Sequence, residues 1–160
     1  MSSIQAYTDG SCKKGPGGWA WIMFYENSSI VFSESGGEKK TTNNRMEITA
    51  LIKLISFLKD IYHNEIHIHI DSQYVLKTIV NGGEGVLSMR NNRVNYTGWI
   101  KRWNSSAKNW DLWQELDKVL NNYLTKDKKV CFHWVKGHSK NFGNDLADKY
   151  AQEEADKYKL

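Results

Sequence analysis

The feature that most limits what this chain can fold into is a change in its hydrophobic period. Residues 4 to 11 and 18 to 26 are rich in β-formers, and Gly15-Pro16-Gly17-Gly18 between them is strong turn chemistry, so the two read as a hairpin. A third short strand near Ile30 to Ser33, closed by Ser35-Gly36-Gly37, extends the hairpin into an antiparallel meander. From Thr42 to Asp60 the period turns helical. Ile48, Leu51, Ile52, Ile55 and Leu58 recur on one face, and Asn44 with Glu47 reads as a capping-box-like start. Ile66, Ile68 and Ile70 then alternate with His67 and His69 up to Asp71, the pattern of a strand that ends on a carboxylate, and a helix is expected from Ser72. Asn-Gly-Gly-Glu-Gly after Val80 reads as a flexible break. Asp111 to Leu124 is an amphipathic helix through Leu112, Leu116, Val119 and Leu120, Val130 to Val135 is a strand, and Gly143-Asn144 opens a terminal helix. A meander followed by helix, strand, helices, strand and helix implies an α/β fold, a mixed sheet with helices on its faces.

A chain of 160 residues with 40% hydrophobic content can bury one core, and with no internal repeat or low-complexity tract a single domain over residues 1–160 is expected. No apolar run approaches the roughly 20 residues of a membrane helix. The start, Met1 to Tyr7, lacks the basic and apolar stretches of a signal peptide, so an intracellular, cytoplasmic protein without membrane contact is expected. Cys12 and Cys131 are too few for a disulfide framework and lack close pairing, so both are read as reduced. The net charge of +4 is concentrated: residues 81 to 110 hold Arg90, Arg93, Lys101, Arg102 and Lys108 against Glu84 alone. Trp99, Trp103 and Trp110 interleave with that charge, a combination that suits a polyanion with sugar and base faces. The same tryptophans would serve a helix that packs them inward.

Asp9 lies late in the first strand, Asp71 at the end of another and Glu47 on the first turns of a helix, positions that point into clefts. Glu47 shares its helical stripe with Leu51, Leu54 and Leu58, a costly place for an unpaired charge. Carboxylates converging there would raise one another's pKa unless a hard divalent ion with oxygen ligands, of which Mg²⁺ is the natural one, neutralised them. Each acid also has a local reading: a turn cap for Asp9 before Gly10, a capping-box residue for Glu47, a helix N-cap for Asp71. Spacing alone leaves their convergence open. His67, His69 and Asp71 share strand parity, which would suit a transition metal and equally suits packing or hydrogen bonding.

Four blocks occur in order: Tyr7-Thr8-Asp9-Gly10-Ser11-Cys12, Thr42-Asn43-Asn44-Arg45-Met46-Glu47, Asp71-Ser72-Gln73-Tyr74-Val75 and Trp134-Val135-Lys136-Gly137-His138. Together they resemble type 1 ribonuclease H (ribonuclease HI), and with Asp111-Leu112-Trp113 and the terminal helix the likeness covers nearly the whole chain. The resemblance implies a ribonuclease H-like fold, a five-stranded mixed sheet made of an antiparallel meander and two further parallel strands, flanked by helices. It implies a monomeric endoribonuclease that hydrolyses the RNA strand of RNA/DNA hybrids. Two Mg²⁺ ions, or Mn²⁺ in their place, would be held by Asp9, Glu47, Asp71 and a C-terminal aspartate. The family's Gly-Asn-x-x-Ala-Asp pattern matches Gly143 to Asp148 and selects Asp148, with Asp145 as the fallback. One metal would help turn water into hydroxide and the other would stabilise the leaving 3′ oxygen, giving 5′-phosphate and 3′-hydroxyl ends.

By the same resemblance His138 assists proton transfer or product release from a loop. Asn43, Gln73 and the backbone near Cys12 sense the 2′-hydroxyl. Thr42 and Asn109 form a pocket for a DNA phosphate, and Trp113 packs on deoxyribose. Two departures stand out: Lys13-Lys14-Gly15-Pro16 is shorter than the family's glycine-rich loop and lacks its asparagine, and the match dissolves between Asn81 and Trp110. A remodelled hybrid-binding surface is expected there, contacting phosphates through Arg90, Arg93, Lys101 and Arg102. Two rival readings remain. A non-catalytic hybrid-binding module need not keep four acids, and another ribonuclease H-like nuclease acting on DNA would not need Asn43 and Gln73.

Overall fold

The β-formers and turn residues of the first forty positions produce the meander. In the computed structural model, which describes residues 3–25, 31–61, 65–102, 104–124, 128–137 and 141–159 without the side chains of 31 and 101, β1 (Ile4–Cys12) pairs antiparallel with β2 (Gly17–Tyr25), and β2 with β3 (Val31–Glu38). Ile30 lies outside the described residues. The third strand does not stop at Ser35-Gly36-Gly37 but continues through it. Gly36 lies opposite Trp19, and a Cβ there would meet the indole at 2.7 Å, so the missing side chain makes room for the ring.

The helical period becomes α1 (Asn43–Leu58), with Met46, Ile48, Leu51, Leu54, Ile55 and Leu58 fully buried. Its N-cap is Thr42, whose Oγ accepts from the Arg45 N–H at 3.2 Å, and not Asn44. The third helical position is therefore Arg45, and Glu47 has no capping-box role. Alternation around Ile66, Ile68 and Ile70 gives β4 (Glu65–Ile70), parallel to β1. Ser72 caps α2 (Gln73–Ile79), its Oγ accepting from the Val75 N–H at 3.3 Å, so the N-cap reading of Asp71 is also set aside.

The break after Val80 is more ordered than its glycines imply. A 3₁₀ turn (Asn81–Gly83) leads into β5 (Gly85–Leu87) and a small hairpin of β6 (Met89–Arg90) and β7 (Arg93–Val94). Asn91 and Asn92 turn that hairpin at φ 53° and 61°, the left-handed pair of a tight two-residue turn. A second 3₁₀ turn (Trp99–Arg102) precedes α3 (Trp110–Tyr123), and β8 (Lys129–Trp134) runs parallel to β4. Asn141 caps α4 (Phe142–Asp156), accepting from the Asn144 N–H at 3.0 Å, so this helix starts one residue before Gly143.

The order β3-β2-β1-β4-β8 is the five-stranded mixed sheet, and β5, antiparallel to β8, adds a three-residue sixth strand at that edge. One face packs on α1, which in turn packs on α3, and the main core lies there around Trp21, Met23, Leu51, Leu54 and Ile68. The other face of β1 and β2 carries α4 over a smaller core of Tyr7, Ile22 and Ala147. No helix among the described residues is long and apolar enough to cross a membrane.

Seating α4 on the sheet depends on Gly18, because a Cβ at that position would run into the backbone carbonyl of Ala151 and lie 2.7 Å from the Ala155 nitrogen. Gly18→Ala is therefore expected to destabilise the fold by about 1–3 kcal/mol, the usual cost of overpacking against groups that cannot yield. Urea denaturation measures it, and a change below about 0.5 kcal/mol, the scale of an ordinary surface substitution, would show that α4 does not rest on β2 at this point.

Candidate active site

Gly10 is where the site begins. A Cβ there would lie 2.5 Å from the Glu47 nitrogen and 2.6 Å from the Met46 carbonyl carbon, so only glycine lets β1 run against the first turns of α1. That approach brings Asp9 to Glu47. Parallel pairing of β1 with β4 sets Thr8 beside Ile70, so Asp9 and Asp71 follow at the same level of adjacent strands. One carboxylate oxygen from each of Asp9, Glu47 and Asp71 lies within 4.8 Å of the other two. Asp148 of α4 is close enough to Asp9 to share a hydrogen bond, and its Oδ2 accepts from Gln152 Nε2 at 2.8 Å. Asp145 is exposed in the first turn of α4, and the cap of that helix is Asn141.

Asp9 and Glu47 are only 3% and 8% exposed. Burial, then the charges of Asp71 and Asp148, push the Asp9 carboxyl up to about 8. Glu47 rises well above the usual carboxylate range, first through burial and then through Asp9. The contact between the two lowers Asp9 and raises Glu47, as expected when Glu47 keeps its proton and donates it to the Asp9 carboxylate once that has ionised. Glu47 Oε2 is buried without a hydrogen-bond partner among the described residues. Clustered oxygen donors, one of them lacking a partner and two raised by burial and then by their neighbours' charge, suit a hard divalent cation. It would take the place of the carboxyl protons and satisfy the remaining oxygen.

Around the acids the N–H of Cys12 donates to Asn43 Oδ1 at 2.6 Å, joining the end of β1 to the start of α1. Gln73 is exposed on the first turn of α2. Thr42 and Asn109 stand on either side of Arg45, whose N–H donates to Thr42 Oγ and whose Nη1 donates to Asn109 Oδ1 at 3.4 Å. The same guanidinium forms a two-pronged ion pair with Asp111 at 3.0 and 2.8 Å. Asn109 is held at φ 64° with its amide donating to the Tyr74 hydroxyl at 3.1 Å. Arg45 drew no attention in the sequence because an arginine on a helix start is usually a solvated charge. Its signal was only the block that contains it.

Trp113 corrects one expectation. It is fully buried, tilted against Tyr74 with ring centroids 5.8 Å apart, and has no open face for a sugar. It lies on the inward stripe with Leu112 and Leu116, and packing claims it. Arg90 and Arg93 are exposed and face each other across the β6–β7 hairpin, Arg93 reaching Asp117 at 3.8 Å. Arg102 lies over the exposed Trp99 ring at 5.5 Å. Trp103, the Lys101 side chain and His138 lie outside the described residues. Gly137, whose Cβ position is 3.2 Å from Asp71 Oδ2, brings the chain just before His138 to the acids. A concavity beside the Cys12–Asn43 contact is lined by Lys13, Lys14, Lys39, Lys40 and Lys159, of which the last three went unnoticed in the sequence.

The architecture matches that of LC11-RNase H1, solved in complex with RNA/DNA hybrid, at a TM-score of 0.62 and 19% identity over 96% of this chain and 97% of that one. The likeness defines a ribonuclease H-like fold. In sequence the chain is 36% identical to the ribonuclease H of Albidiferax ferrireducens, over 94% of this chain and 93% of that protein. It is 40% identical to the ribonuclease H of Hahella chejuensis, over 94% and 92%. The RNase H family model matches residues 1–156. The chain belongs to the ribonuclease H family.

These shifts set the pH dependence of the metal-free protein. Folded Asp9 keeps its proton to about pH 8 against an ordinary value of 3.8, so the unfolded chain binds fewer protons across that window and stability falls as pH rises. His69, lowered by burial to about 4 from 6.5, acts in the opposite sense, adding stability as pH rises to 6.5. Between about pH 6.5 and 8 the acid contribution stands alone of the two. In EDTA the urea midpoint should therefore drop across this interval, Mg²⁺ should reverse the drop, and Asp9→Asn should remove most of it. A drop of undiminished size in Asp9→Asn would assign it to other groups.

Proposed function

We propose that this chain is an endoribonuclease that hydrolyses the RNA strand of RNA/DNA hybrids at a two-metal site formed by Asp9, Glu47, Asp71 and Asp148. The observation that carries this reading is the buried convergence of carboxylates with raised pKa values in a member of the ribonuclease H family. Two Mg²⁺ ions, or Mn²⁺, when bound there supply charge neutralisation, activation of the attacking water and stabilisation of the leaving 3′ oxygen, giving 5′-phosphate and 3′-hydroxyl ends. Asp9 and Glu47 would hold the ions by charge, giving up the protons that burial otherwise keeps on them. Asp148, braced by Gln152, closes the ligand set from the α4 side. His138 takes or gives a proton near neutrality or helps the product leave.

Selection of the RNA strand rests on the 2′-hydroxyl. Asn43, anchored through Oδ1 on the Cys12 N–H, offers its amide NH₂ to that hydroxyl, and Gln73 serves the same strand from α2. On the DNA strand Thr42 and Asn109 bind a phosphate, with Arg45 holding Asn109 in place. Arg90, Arg93, Lys101 and Arg102 bind phosphates further along, and the lysine-lined concavity beside Cys12 attracts the RNA backbone. A solved protein of the same fold was captured on an RNA/DNA hybrid, which supports that substrate here. On this reading the chain is one catalytic domain acting as a monomer in the cytoplasm.

Labelled RNA/DNA hybrid, double-stranded RNA and double-stranded DNA, each with and without Mg²⁺, test the assignment. Cleavage confined to the RNA of the hybrid and dependent on Mg²⁺ is expected, whereas hybrid binding without cleavage, or cleavage of DNA, would replace it with one of the rival readings. Asp9→Asn, Glu47→Gln and Asp71→Asn should each abolish cleavage while the fold survives. Asp148→Asn should lower kcat by orders of magnitude with little change in hybrid affinity, and Asp145→Asn should stay within a few-fold of the parent. A dead Asp145→Asn with an active Asp148→Asn would shift the register of the last ligand by three residues.

A separate measurement addresses the basic segment. Replacing Arg90, Arg93, Lys101 and Arg102 by alanine should raise KM strongly, leave kcat less affected and flatten the salt dependence, by about 0.9 in log–log slope for each phosphate no longer neutralised. An unchanged slope would remove this segment from the substrate surface.

A further inference from the structure

On the α4 side of the sheet, α4 packs on β1, β2 and β3, while β4 and β8 present a row of polar side chains. Strand pairing sets Glu65 beside Lys129, His67 beside Cys131 and His69 beside His133. Period-two alternation turns all six side chains to this face. The sequence suggested grouping His67 and His69 with Asp71, but Asp71 joins Asp9 and Glu47 instead, and the partner of His67 comes from the neighbouring strand. One ligand atom from each of Glu65, His67 and Cys131 lies within 4.8 Å of the other two, with His67 Nε2 3.0 Å from Glu65 Oε2.

We propose that Glu65, His67 and Cys131 form a second metal site, distinct from the carboxylate cluster, that takes a borderline-soft divalent ion of the zinc type. The donor set is one thiolate sulfur, one imidazole nitrogen and one carboxylate oxygen, a combination that favours Zn²⁺ and its neighbours over Mg²⁺, which prefers oxygen alone. Drawn slightly together from this spacing, the three atoms would each sit about 2.0–2.3 Å from a shared tetrahedral ion, leaving the fourth vertex to water. Binding displaces the proton of the Cys131 thiol to solvent, while neutral His67 ligates through the Nε2 lone pair with its own proton on Nδ1, and Glu65 ligates as the carboxylate.

The surroundings support a built site rather than three chance neighbours. His67 Nδ1 lies 2.7 Å from His133 Nε2, a hydrogen bond that fixes the ring and, with Nδ1 as donor, turns the Nε2 lone pair toward Glu65 and Cys131. A ligating histidine is commonly oriented through its other nitrogen in this way. The rings continue as a stack, His67 on His133, His133 on His69 and His69 on Tyr7, at centroid separations of 5.0, 5.0 and 4.5 Å, and His69 Nε2 is tied to Gln5 Oε1 at 2.7 Å. Cys131 is 7% exposed and Glu65 is exposed, so the site has a packed floor and an open mouth. An ion held there would clip β4 to β8, the strands whose parallel pairing continues to the Asp71 end of the sheet.

Co²⁺ is the probe, because a sulfur ligand gives a thiolate-to-cobalt charge-transfer band in the near ultraviolet that an all-oxygen site cannot produce. The full chain, with Mg²⁺ in excess to occupy the carboxylate cluster, is titrated with Co²⁺ under reducing conditions. One equivalent should develop the charge-transfer band and intense tetrahedral visible bands, and Zn²⁺ should bleach both. Cys131→Ser should abolish the near-ultraviolet band, and His67→Gln, at a partly exposed position less prone to disturb folding, should weaken Co²⁺ binding at least tenfold with the cysteine intact. Asp9→Asn and Cys12→Ser should leave the spectrum unchanged. Absence of the band in the parent chain, its survival in Cys131→Ser, its loss in Cys12→Ser, or an undiminished affinity in His67→Gln would overturn the proposal. None of these readouts depends on nuclease activity, so its failure and that of the proposed function are separable.

Discussion

The close approach of β1 to α1 at Gly10 is the contact on which the rest of the site depends. Strand and helix backbones lie near enough that a methyl group at residue 10 would strike the peptide between Met46 and Glu47. Without that approach Asp9 and Glu47 would belong to separate elements, and the strand ends beside Asp71 would face an open groove. The large side chains of the main core lie between the sheet and α1, and their burial supplies the free energy that holds two acids against each other.

The cost of that arrangement is electrostatic. Two buried carboxyls, a third at the neighbouring strand end and a fourth on α4 cannot all be charged in a site of low polarity, so protons remain where a cation would otherwise sit. A fold can carry such strain locally when the surrounding packing determines the geometry, and functional sites are where it is commonly found. The metal-free protein therefore stores in Asp9 and Glu47 a preference for a divalent ion.

Positive charge is concentrated apart from the acids. Arg90, Arg93 and Arg102 sit on short irregular elements, the β6–β7 hairpin and the 3₁₀ turn that ends at Arg102, and five lysines line the concavity beside Cys12. The ion pair of Arg93 with Asp117 is long, with the arginine largely exposed, and contributes little to stability. Arg45 differs: its two-pronged pairing with Asp111 and its reach to Asn109 make it a brace between α1 and α3.

Much of this was legible in the chain alone. Period two and period 3.6 located the strands β1, β2, β4 and β8 and the helices to within a few residues, because those periods reflect which face meets the core. The four short blocks pointed to the family, since three of them couple an acid to the element end that carries it and the fourth joins a strand end to a glycine-histidine loop. Other features had no local signal. β5 is three residues long and pairs only because β8 offers an edge. β3 passes through two glycines because Trp19 lies across one of them. By resemblance Trp113 was expected to pack on deoxyribose, and only its burial against Tyr74 in the main core showed otherwise. Sequence by itself determined which residues prefer strand, helix and turn and which carry charge, because these are properties of single residues and their near neighbours. Tertiary structure alone decided that Asp9, Glu47 and Asp71 meet, and that His67 finds Cys131 rather than Asp71. Those distances follow from strand register and helix docking, which are set by the packing of side chains far apart in the chain.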